Sequence, residues 1–275
     1  MRLSKPPKAT EYAPISSSFQ SLGGAAAFAA LALAANSVEV TVLGPEPQDE
    51  YANAAQALFA YRGIRWTGFC KTPKMPVFYS IYEPSGTRWV IHEDCLFESE
   101  WLPDRIDAEF VMLYPTAPET AREMAELASD NATSLIFSPS GSLLSYPETF
   151  EAIARKACWV ILNQAEVVAY TQTKRSKEAL AALSRLCPNV VVTGGEQGSV
   201  LLTDGASLFV STSPVRSFNS AGDGDVLAAV FSTGVFAQRL PPLESLKNAQ
   251  AVVTRFLRRG EVPLESTSVF DLLSL

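Results

Sequence analysis

Between residues 109 and 193, short segments rich in β-branched and aromatic residues alternate with longer segments whose apolar residues recur at helical spacing. Neighbouring parallel strands are joined by a crossover that is usually a helix, so this alternation predicts a parallel sheet with helices on both faces. The predicted fold class is α/β, with a doubly wound, mainly parallel sheet. We predict strands at 109–114, 133–138, 158–162 and 189–193, and helices at 118–129, 147–156, 164–171 and 176–186.

The segments on either side of this region extend the same pattern, and the whole chain, 1–275, is predicted to form a single domain. Residues 1–22 are polar and proline-containing, which predicts an irregular lead-in with a short strand near 15–20. The other predicted elements are a small-residue helix that begins after Gly23-Gly24, a strand at 38–44, a helix at 50–63, a hairpin near 199–211, and helices at 223–238 and 243–259.

One segment, 76–93, does not fit the strand–helix alternation. The runs "PVFYSIY" (76–82) and "TRWVIHE" (87–93) are β-branched and aromatic, and "EPSG" between them places proline and glycine where a type I turn favours them. We therefore predict a β-hairpin that projects from the domain as a small appendage. Its exposed strands also offer a surface for homodimerisation.

Charge and cysteine usage exclude several classes of function. The net charge is −7 and the largest basic group is Arg255 with Arg258 and Arg259, which argues against a nucleic-acid or anionic-membrane surface. Four scattered cysteines and a single histidine argue against a zinc site and indicate reduced thiols. The apolar run at 25–35 is too short to span a bilayer and lacks a signal-peptide context. We expect a cytoplasmic protein whose partner is a small molecule.

The stretch "SAGDGD" (220–225) leads directly into an apolar helix, which raises the question of what two carboxylates do at a helix start. Glycine-rich loops at helix N-termini bind anions, because unpaired amides and the helix dipole both favour negative charge. A carboxylate in such a loop suits phosphoryl transfer, in which amides hold the phosphoryl group and a base accepts the proton of the attacking hydroxyl. The alternative is that Asp223 and Asp225 merely stabilise the helix N-terminus, by about 0.3–1 kcal/mol each.

Four segments, taken in chain order, resemble the ribokinase / phosphofructokinase-B family of sugar kinases. That family's closing signature has the form Asp-Thr-x-Gly-Ala-Gly-Asp, and its last aspartate is the catalytic base. The resemblance therefore implies that Asp225 is the base, that the amides of Gly222, Asp223 and Gly224 hold the phosphoryl group, and that Asp223 replaces the usual alanine. The four segments are "LGGAAAFAALALA" (22–34), "ILNQAEVVAYTQ" (161–172), "VVVTGGEQGSVLLTDG" (190–205) and "NSAGDGD" (219–225).

The resemblance also implies which residues bind Mg²⁺ and ATP. Asn163 and Glu166 match an Asn-x-x-Glu motif that orients Mg²⁺ and the nucleotide phosphates, with Glu166 acting largely through water. The alternative for this pair is a helix cap followed by a solvated acid in the first turn. The remaining matches are Thr193 and Gly195, with Gly198 supporting the same turn beside the phosphates, and Asn248 in a helix that borders the adenine.

The acceptor half of the family pattern is altered. Gly23 and Gly24 match paired glycines that approach the sugar, although close helix packing explains such glycines as well. The family opens with a strand that ends near an acceptor-binding aspartate, whereas the first aspartate here is Asp49, so we expect that strand to be absent. Phe28 stands where an asparagine is common, and "SPSGS" (138–142) lacks the charged residues of the corresponding stretch. The hairpin 76–93 matches the substrate lid.

These patterns lead to one main hypothesis and two alternatives. The chain is identified as an ATP-dependent, Mg²⁺-requiring kinase that phosphorylates a hydroxyl of a sugar, sugar-like or nucleoside molecule. The first alternative is an inactive descendant that binds a nucleotide or metabolite. The second is a dinucleotide-binding enzyme, which the sequence disfavours because "TGGEQG" (193–198) leads into another strand rather than a helix.

Overall fold

A computed structural model of the chain describes residues 2–3, 15–17, 22–82, 88–92, 96–213, 215 and 221–259. In chain order the strands are β1 (Arg2–Leu3), β2 (Ile15–Ser17), β3 (Thr41–Pro47), β4 (Arg65–Thr72), β5 (Phe78–Tyr82), β6 (Arg88–His92), β7 (Phe110–Leu113), β8 (Ser134–Phe137), β9 (Trp159–Asn163), β10 (Val190–Thr193), β11 (Ser199–Thr203) and β12 (Ala206–Val210). The helices are α1 (Ala25–Ala35), α2 (Glu50–Tyr61), α3 (Pro118–Asp130), α4 (Ser140–Leu144), α5 (Pro147–Ala154), α6 (Gln164–Thr171), α7 (Ser176–Ser184), α8 (Asp223–Ser232) and α9 (Pro242–Arg259). A 3₁₀ turn covers Gly195–Gln197 and a π-helical turn covers Thr233–Ala237.

The largest sheet among these residues has six strands in the order β12-β11-β10-β9-β8-β7. Strands β7 to β10 run parallel, and β11 and β12 return as an antiparallel hairpin along one edge. The predicted α/β class with a mainly parallel sheet is therefore confirmed.

Strand β9 shows why the sheet carries helices on both faces. Its first four residues are all buried, as expected for an interior parallel strand. Trp159 and Ile161 belong to the apolar cluster formed with α1, α8 and α9, whereas Val160 and Leu162 belong to the cluster formed with α3, α5 and α7. Because successive side chains of a strand point to opposite faces, each face contributes one half of the core.

A second, two-stranded parallel sheet pairs β3 with β4. We predicted β3 at 38–44, but it spans Thr41–Pro47, and β4 was not predicted at all. The sequence of β4 breaks the period-two pattern with Gly68 and with exposed Arg65 and Lys71. A Cβ atom on Gly68 would lie 2.6 Å from Cβ of Glu46, so the close approach of the two strands, rather than apolar alternation, explains this glycine.

The predicted hairpin is present, and it belongs to a larger sheet. Strands β5 and β6 pair antiparallel, with Phe78 opposite His92 and Tyr82 opposite Arg88. Strand β1 adds to β5 in parallel and β2 pairs with β1, which gives the order β2-β1-β5-β6. The lead-in before Gly23 thus contributes two strands to the hairpin's sheet: β2 lies within the strand predicted near 15–20, whereas β1 was not predicted. The turn at 83–87 lies outside the described residues.

Asp49 joins the hairpin to the body of the domain. One carboxylate oxygen caps α2 by accepting from the Ala52 amide at 2.9 Å, and the other accepts from the Met75 amide at 2.7 Å. The Met75 bond is the main cause that lowers the pKa of Asp49 below its ordinary value. The first aspartate of the chain is therefore used to hold the backbone just before β5.

The alanine-rich run forms α1, which packs against α8. Small side chains let two helix backbones approach closely, and the buried face of α1 consists of alanine and leucine. Among the described residues, no helix combines the length and the apolar character that a membrane crossing requires.

Only the first part of the helix predicted at 223–238 is a regular α-helix. It is α-helical to Ser232 and continues as the π-helical turn, in which a Cβ on Gly234 would lie 2.7 Å from the hydroxyl of Ser245 in α9. Ser232 and Thr233 also donate to the carbonyls of Ala228 and Ala229, bonds that compete with regular helix geometry.

Candidate active site

Three polar residues lie where parallel strands of the main sheet end. Tyr114 directly follows β7, Asn163 ends β9 and Thr193 ends β10. Asn163 and Thr193 are direct partners in the parallel register, so their side chains begin side by side. Ligands of open α/β sheets bind at this carboxyl edge.

The loop before α8 has the geometry of an anion site. Gly222 has φ +85° and caps the helix, and its carbonyl accepts the first helical bond from the Val226 amide at 2.9 Å. The amides of Gly222, Asp223 and Gly224 were predicted to hold the phosphoryl group. Of these, the Gly224 amide donates to Oδ1 of its neighbour Asp223 at 2.7 Å. The Asp223 carboxylate must therefore turn away before that amide can bind a phosphoryl oxygen. Asn219 and Ser220, the expected caps, lie outside the described residues.

Phe28 links the two glycine motifs that the sequence singled out. A Cβ on Gly222 would lie 2.6 Å from Cγ and Cδ2 of the Phe28 ring, and one on Gly23 would lie 3.8 Å from its Cε2. Gly24 caps α1 with φ +91°, and its carbonyl accepts from the Phe28 amide at 3.1 Å. The start of α1 and the start of α8 therefore meet around this half-buried aromatic ring.

The two aspartates of the loop have different surroundings. Asp223 is bonded to the Gly224 amide, whereas Asp225 is half-buried and its charge acts on Tyr114. Burial raises the pKa of Tyr114 well above its ordinary value, and the Asp225 carboxylate adds to that rise. This is the arrangement expected if the two carboxylates do not share one task.

Asn163 and Glu166 form a capping box at the start of α6. Oδ1 of Asn163 accepts from the Glu166 amide at 2.9 Å, and Oε2 of Glu166 accepts from the Asn163 amide at 2.8 Å. Partial burial raises the pKa of Glu166, while the bonds from Asn163 oppose that rise. This pair therefore has the geometry of a helix cap. The same hydrogen bonds also fix the Glu166 carboxylate at the edge of the sheet.

The turn after β10 is built around Gly198. The Gly194 amide donates to the Gly198 carbonyl at 2.7 Å, which closes the 3₁₀ turn that contains Gly195. Gly198 has φ +90°, and a Cβ there would lie 2.4 Å from the Val210 carbonyl oxygen, so only glycine fits. The hydroxyl of Thr193 lies 3.5 Å from the Leu162 carbonyl of β9, which ties the turn to the Asn163 strand.

Helix α9 is fastened beside this turn. The side-chain amide of Gln250 is buried and donates to the Ser199 hydroxyl at 3.0 Å and to the Val210 carbonyl at 3.3 Å. Asn248, two residues earlier, is exposed on the same helix. The sequence singled out Asn248 but gave no indication of Gln250, whose role depends on a contact across the fold.

The described residues are compatible with Mg²⁺ carried by a nucleotide. They contain no group of three histidine, cysteine or acidic side chains able to enclose a metal. Mg²⁺ retains several waters and is usually bound through one or two carboxylates together with substrate phosphates. Glu166, whose carboxylate accepts from the amide of Asn163 at the carboxyl edge of the sheet, offers such a carboxylate.

Comparison with known families decides to which family the chain belongs. The family model described as pfkB family carbohydrate kinase matches residues 105–254, more than half of the 275 residues. The chain belongs to the pfkB family of carbohydrate kinases. This confirms the resemblance read from the motifs, and it makes the protein a small-molecule kinase. Of the candidate residues of this pfkB kinase, Gly23 and Gly24 lie outside the matched segment, as does Phe28.

Individual relatives of this pfkB kinase act on sugars and nucleosides. The ATP-dependent ribose-1-phosphate kinase of Halopiger xanaduensis is 27% identical over 239 residues, 84% of this chain and 79% of the relative. A ribokinase from Cryptococcus neoformans solved with ADP has TM-score 0.80 and 14% identity, covering 99% of this chain and 92% of its own. A nucleoside kinase from Burkholderia thailandensis solved with inosine has TM-score 0.77 and 13% identity, covering 94% and 85%. These two structures share the fold with this chain.

Proposed function

We propose that this pfkB kinase transfers the γ-phosphoryl group of Mg²⁺-bound ATP to a hydroxyl of a sugar, sugar-like or nucleoside acceptor. The observation that carries the proposal is the start of α8. There a glycine-capped helix N-terminus stands next to a half-buried carboxylate, Asp225, beside the carboxyl edge of the sheet. One group suits the binding of a transferring phosphoryl and the other suits the acceptance of a proton.

In the proposed mechanism, Asp225 accepts the proton of the acceptor hydroxyl while the hydroxyl oxygen attacks the γ-phosphorus and ADP leaves. The amides of Gly222, Asp223 and Gly224 stabilise charge on the transferred group. Mg²⁺, when bound, supplies neutralisation of charge on the phosphate oxygens. Asn163 and Glu166 orient Mg·ATP, while Thr193, Gly195, Gly198 and Asn248 border the nucleotide. Gly23 and Gly24 border the acceptor.

The four-stranded sheet β2-β1-β5-β6 is proposed as the lid of a single domain. The hairpin is joined to the body just before β5 through Asp49, and β1 and β2 widen its sheet. A lid that closes over acceptor and nucleotide would exclude water from the transfer. Homodimerisation through this sheet is proposed as well, and analytical ultracentrifugation of a variant that lacks the hairpin tests it against the full chain.

An ADP-release assay with ATP and MgCl₂ tests the proposed function. The acceptor panel is D-ribose 1-phosphate, D-ribose and inosine, and an Asp225→Asn variant controls for contaminating activity. We expect ADP to form in proportion to a phosphorylated acceptor, with wild type far above the variant. If the protein binds ATP but phosphorylates none of these acceptors, a nucleotide-binding protein without kinase activity becomes the better account.

A further inference from the structure

Tyr114 carries a polar group to which the described residues offer no hydrogen bond. Its side chain is 8% exposed and belongs to the apolar cluster that includes Val226 and Leu227 of α8. Its hydroxyl is buried, and no group among the described residues hydrogen-bonds with it. Buried hydroxyls nearly always have a partner, so this one requires an explanation.

Packing does not explain the hydroxyl. Phenylalanine would fill the same apolar space. A buried hydroxyl without a partner lowers the free energy of unfolding, and phenylalanine would avoid that loss. Tyr170 shows the usual solution in this chain, since its hydroxyl donates to Oε1 of Glu151 at 3.0 Å. A buried donor without a partner among the described residues is therefore a candidate for binding a ligand.

The position of Tyr114 points to the acceptor rather than the nucleotide. It follows β7, three strands away from β10 and the Thr193–Gly198 turn. With neighbouring strands about 4.8 Å apart, that separation is about 14 Å across the sheet. Asp225, the proposed base, is near enough for its charge to act on Tyr114.

We propose that the Tyr114 hydroxyl donates a hydrogen bond to an oxygen of the phosphoryl acceptor and so positions the attacking hydroxyl at Asp225. The inference rests on the proposed kinase function and adds a requirement to it. The acceptor must carry a second oxygen close to the hydroxyl that is phosphorylated, as sugars and nucleosides do. The raised pKa of Tyr114 keeps the hydroxyl protonated, and therefore a donor, throughout the neutral range.

A Tyr114→Phe variant tests the inference, with Tyr170→Phe as the matched control. Each exchange removes one hydroxyl, and of the two only the Tyr170 hydroxyl has a hydrogen-bond partner among the described residues. The measurements are kcat and KM for the acceptor found in the three-compound panel, KM for ATP, and the thermal unfolding midpoint. For Tyr114→Phe we expect kcat/KM for the acceptor to fall by about tenfold, the worth of one hydrogen bond, while KM for ATP stays within about twofold.

The unfolding midpoint separates a binding role from a structural one. Tyr114→Phe should unfold at the same temperature as wild type or higher, because it removes an unpaired polar group. Tyr170→Phe should unfold at a lower temperature and keep the acceptor kinetics of wild type.

Acceptor kcat/KM of Tyr114→Phe within twofold of wild type would overturn the inference and leave the proposed function intact. A lower unfolding midpoint together with equal losses for acceptor and ATP would also overturn it, since that pattern indicates a structural hydroxyl. If the wild type phosphorylates none of the three compounds, the proposed function is contradicted, and the inference about Tyr114 is contradicted with it.

Discussion

Replacing Gly222 by alanine should destabilise the protein by two separable effects. Gly222 has φ +85°, a conformation that costs an alanine about 1–2 kcal/mol. The added Cβ would also lie 2.6 Å from Cγ and Cδ2 of Phe28, atoms at the base of the ring that cannot swing away without moving the whole side chain. Overpacking of this kind costs about 1–3 kcal/mol. The sum predicts a loss of about 2–5 kcal/mol in the free energy of unfolding.

Gly205 provides the matched control. It has φ +74° in the turn between β11 and β12, and a Cβ there would meet nothing within 4 Å. Gly205→Ala should therefore show only the backbone cost of about 1–2 kcal/mol. Urea denaturation followed by circular dichroism measures both variants, and their difference estimates the clash with Phe28.

A double-mutant cycle isolates the contact itself. Combining Gly222→Ala with Phe28→Ala should recover about 1–3 kcal/mol relative to the sum of the single changes, because the ring is no longer there to clash. If Gly222→Ala costs no more than Gly205→Ala, or if the two changes at Gly222 and Phe28 are additive, the reasoning about this contact is refuted.

Three further predictions concern the site. Asp223→Ala frees the Gly224 amide, so turnover should remain within about tenfold of wild type and ATP affinity should hold or improve; loss of ATP binding in calorimetry would contradict this. Glu166→Gln keeps a capping-box residue but should raise the Mg²⁺ concentration needed for half-maximal rate without changing acceptor preference. Because burial raises the pKa of Glu166 in the fold, wild type should also lose stability relative to this variant as pH rises through that pKa; pH-dependent melting curves with no such divergence would count against it. Hydrogen exchange in β5 and β6 should slow when acceptor and nucleotide bind together, and unchanged exchange in a saturated complex would remove the lid role.

The sequence predicts those elements whose local residue pattern matches their position in the folded chain. Helix α6 spans the predicted residues 164–171, and the strands from β7 to β10 lie within a residue or two of their predicted bounds. Strand β4 was missed because Gly68 and two charged residues hide its pairing with β3, a contact that only the folded chain reveals.

In the candidate site, too, local features could be predicted from the sequence and features that depend on tertiary contacts could not. The motifs single out Gly222 and Asp225 as candidates, because special backbone geometry and charge at a helix start are local properties. Tyr114 was not singled out, since an aromatic residue at a strand end is ordinary until its hydroxyl proves to be buried without a partner among the described residues. Phe28 was noticed only as a departure from the family pattern, and its contact with Gly222 required the packing of α1 on α8.

The most direct test of the account is the turnover number of Asp225→Asn with a confirmed acceptor, ATP and Mg²⁺. Asparagine preserves size and shape but cannot accept the proton of the attacking hydroxyl. We expect kcat to fall on the order of 10²–10⁴-fold, with ATP affinity unchanged or higher, while Asp223→Ala retains most activity. An Asp225→Asn enzyme that turns over like wild type, beside an inactive Asp223→Ala, would show that the wrong carboxylate has been assigned as the base.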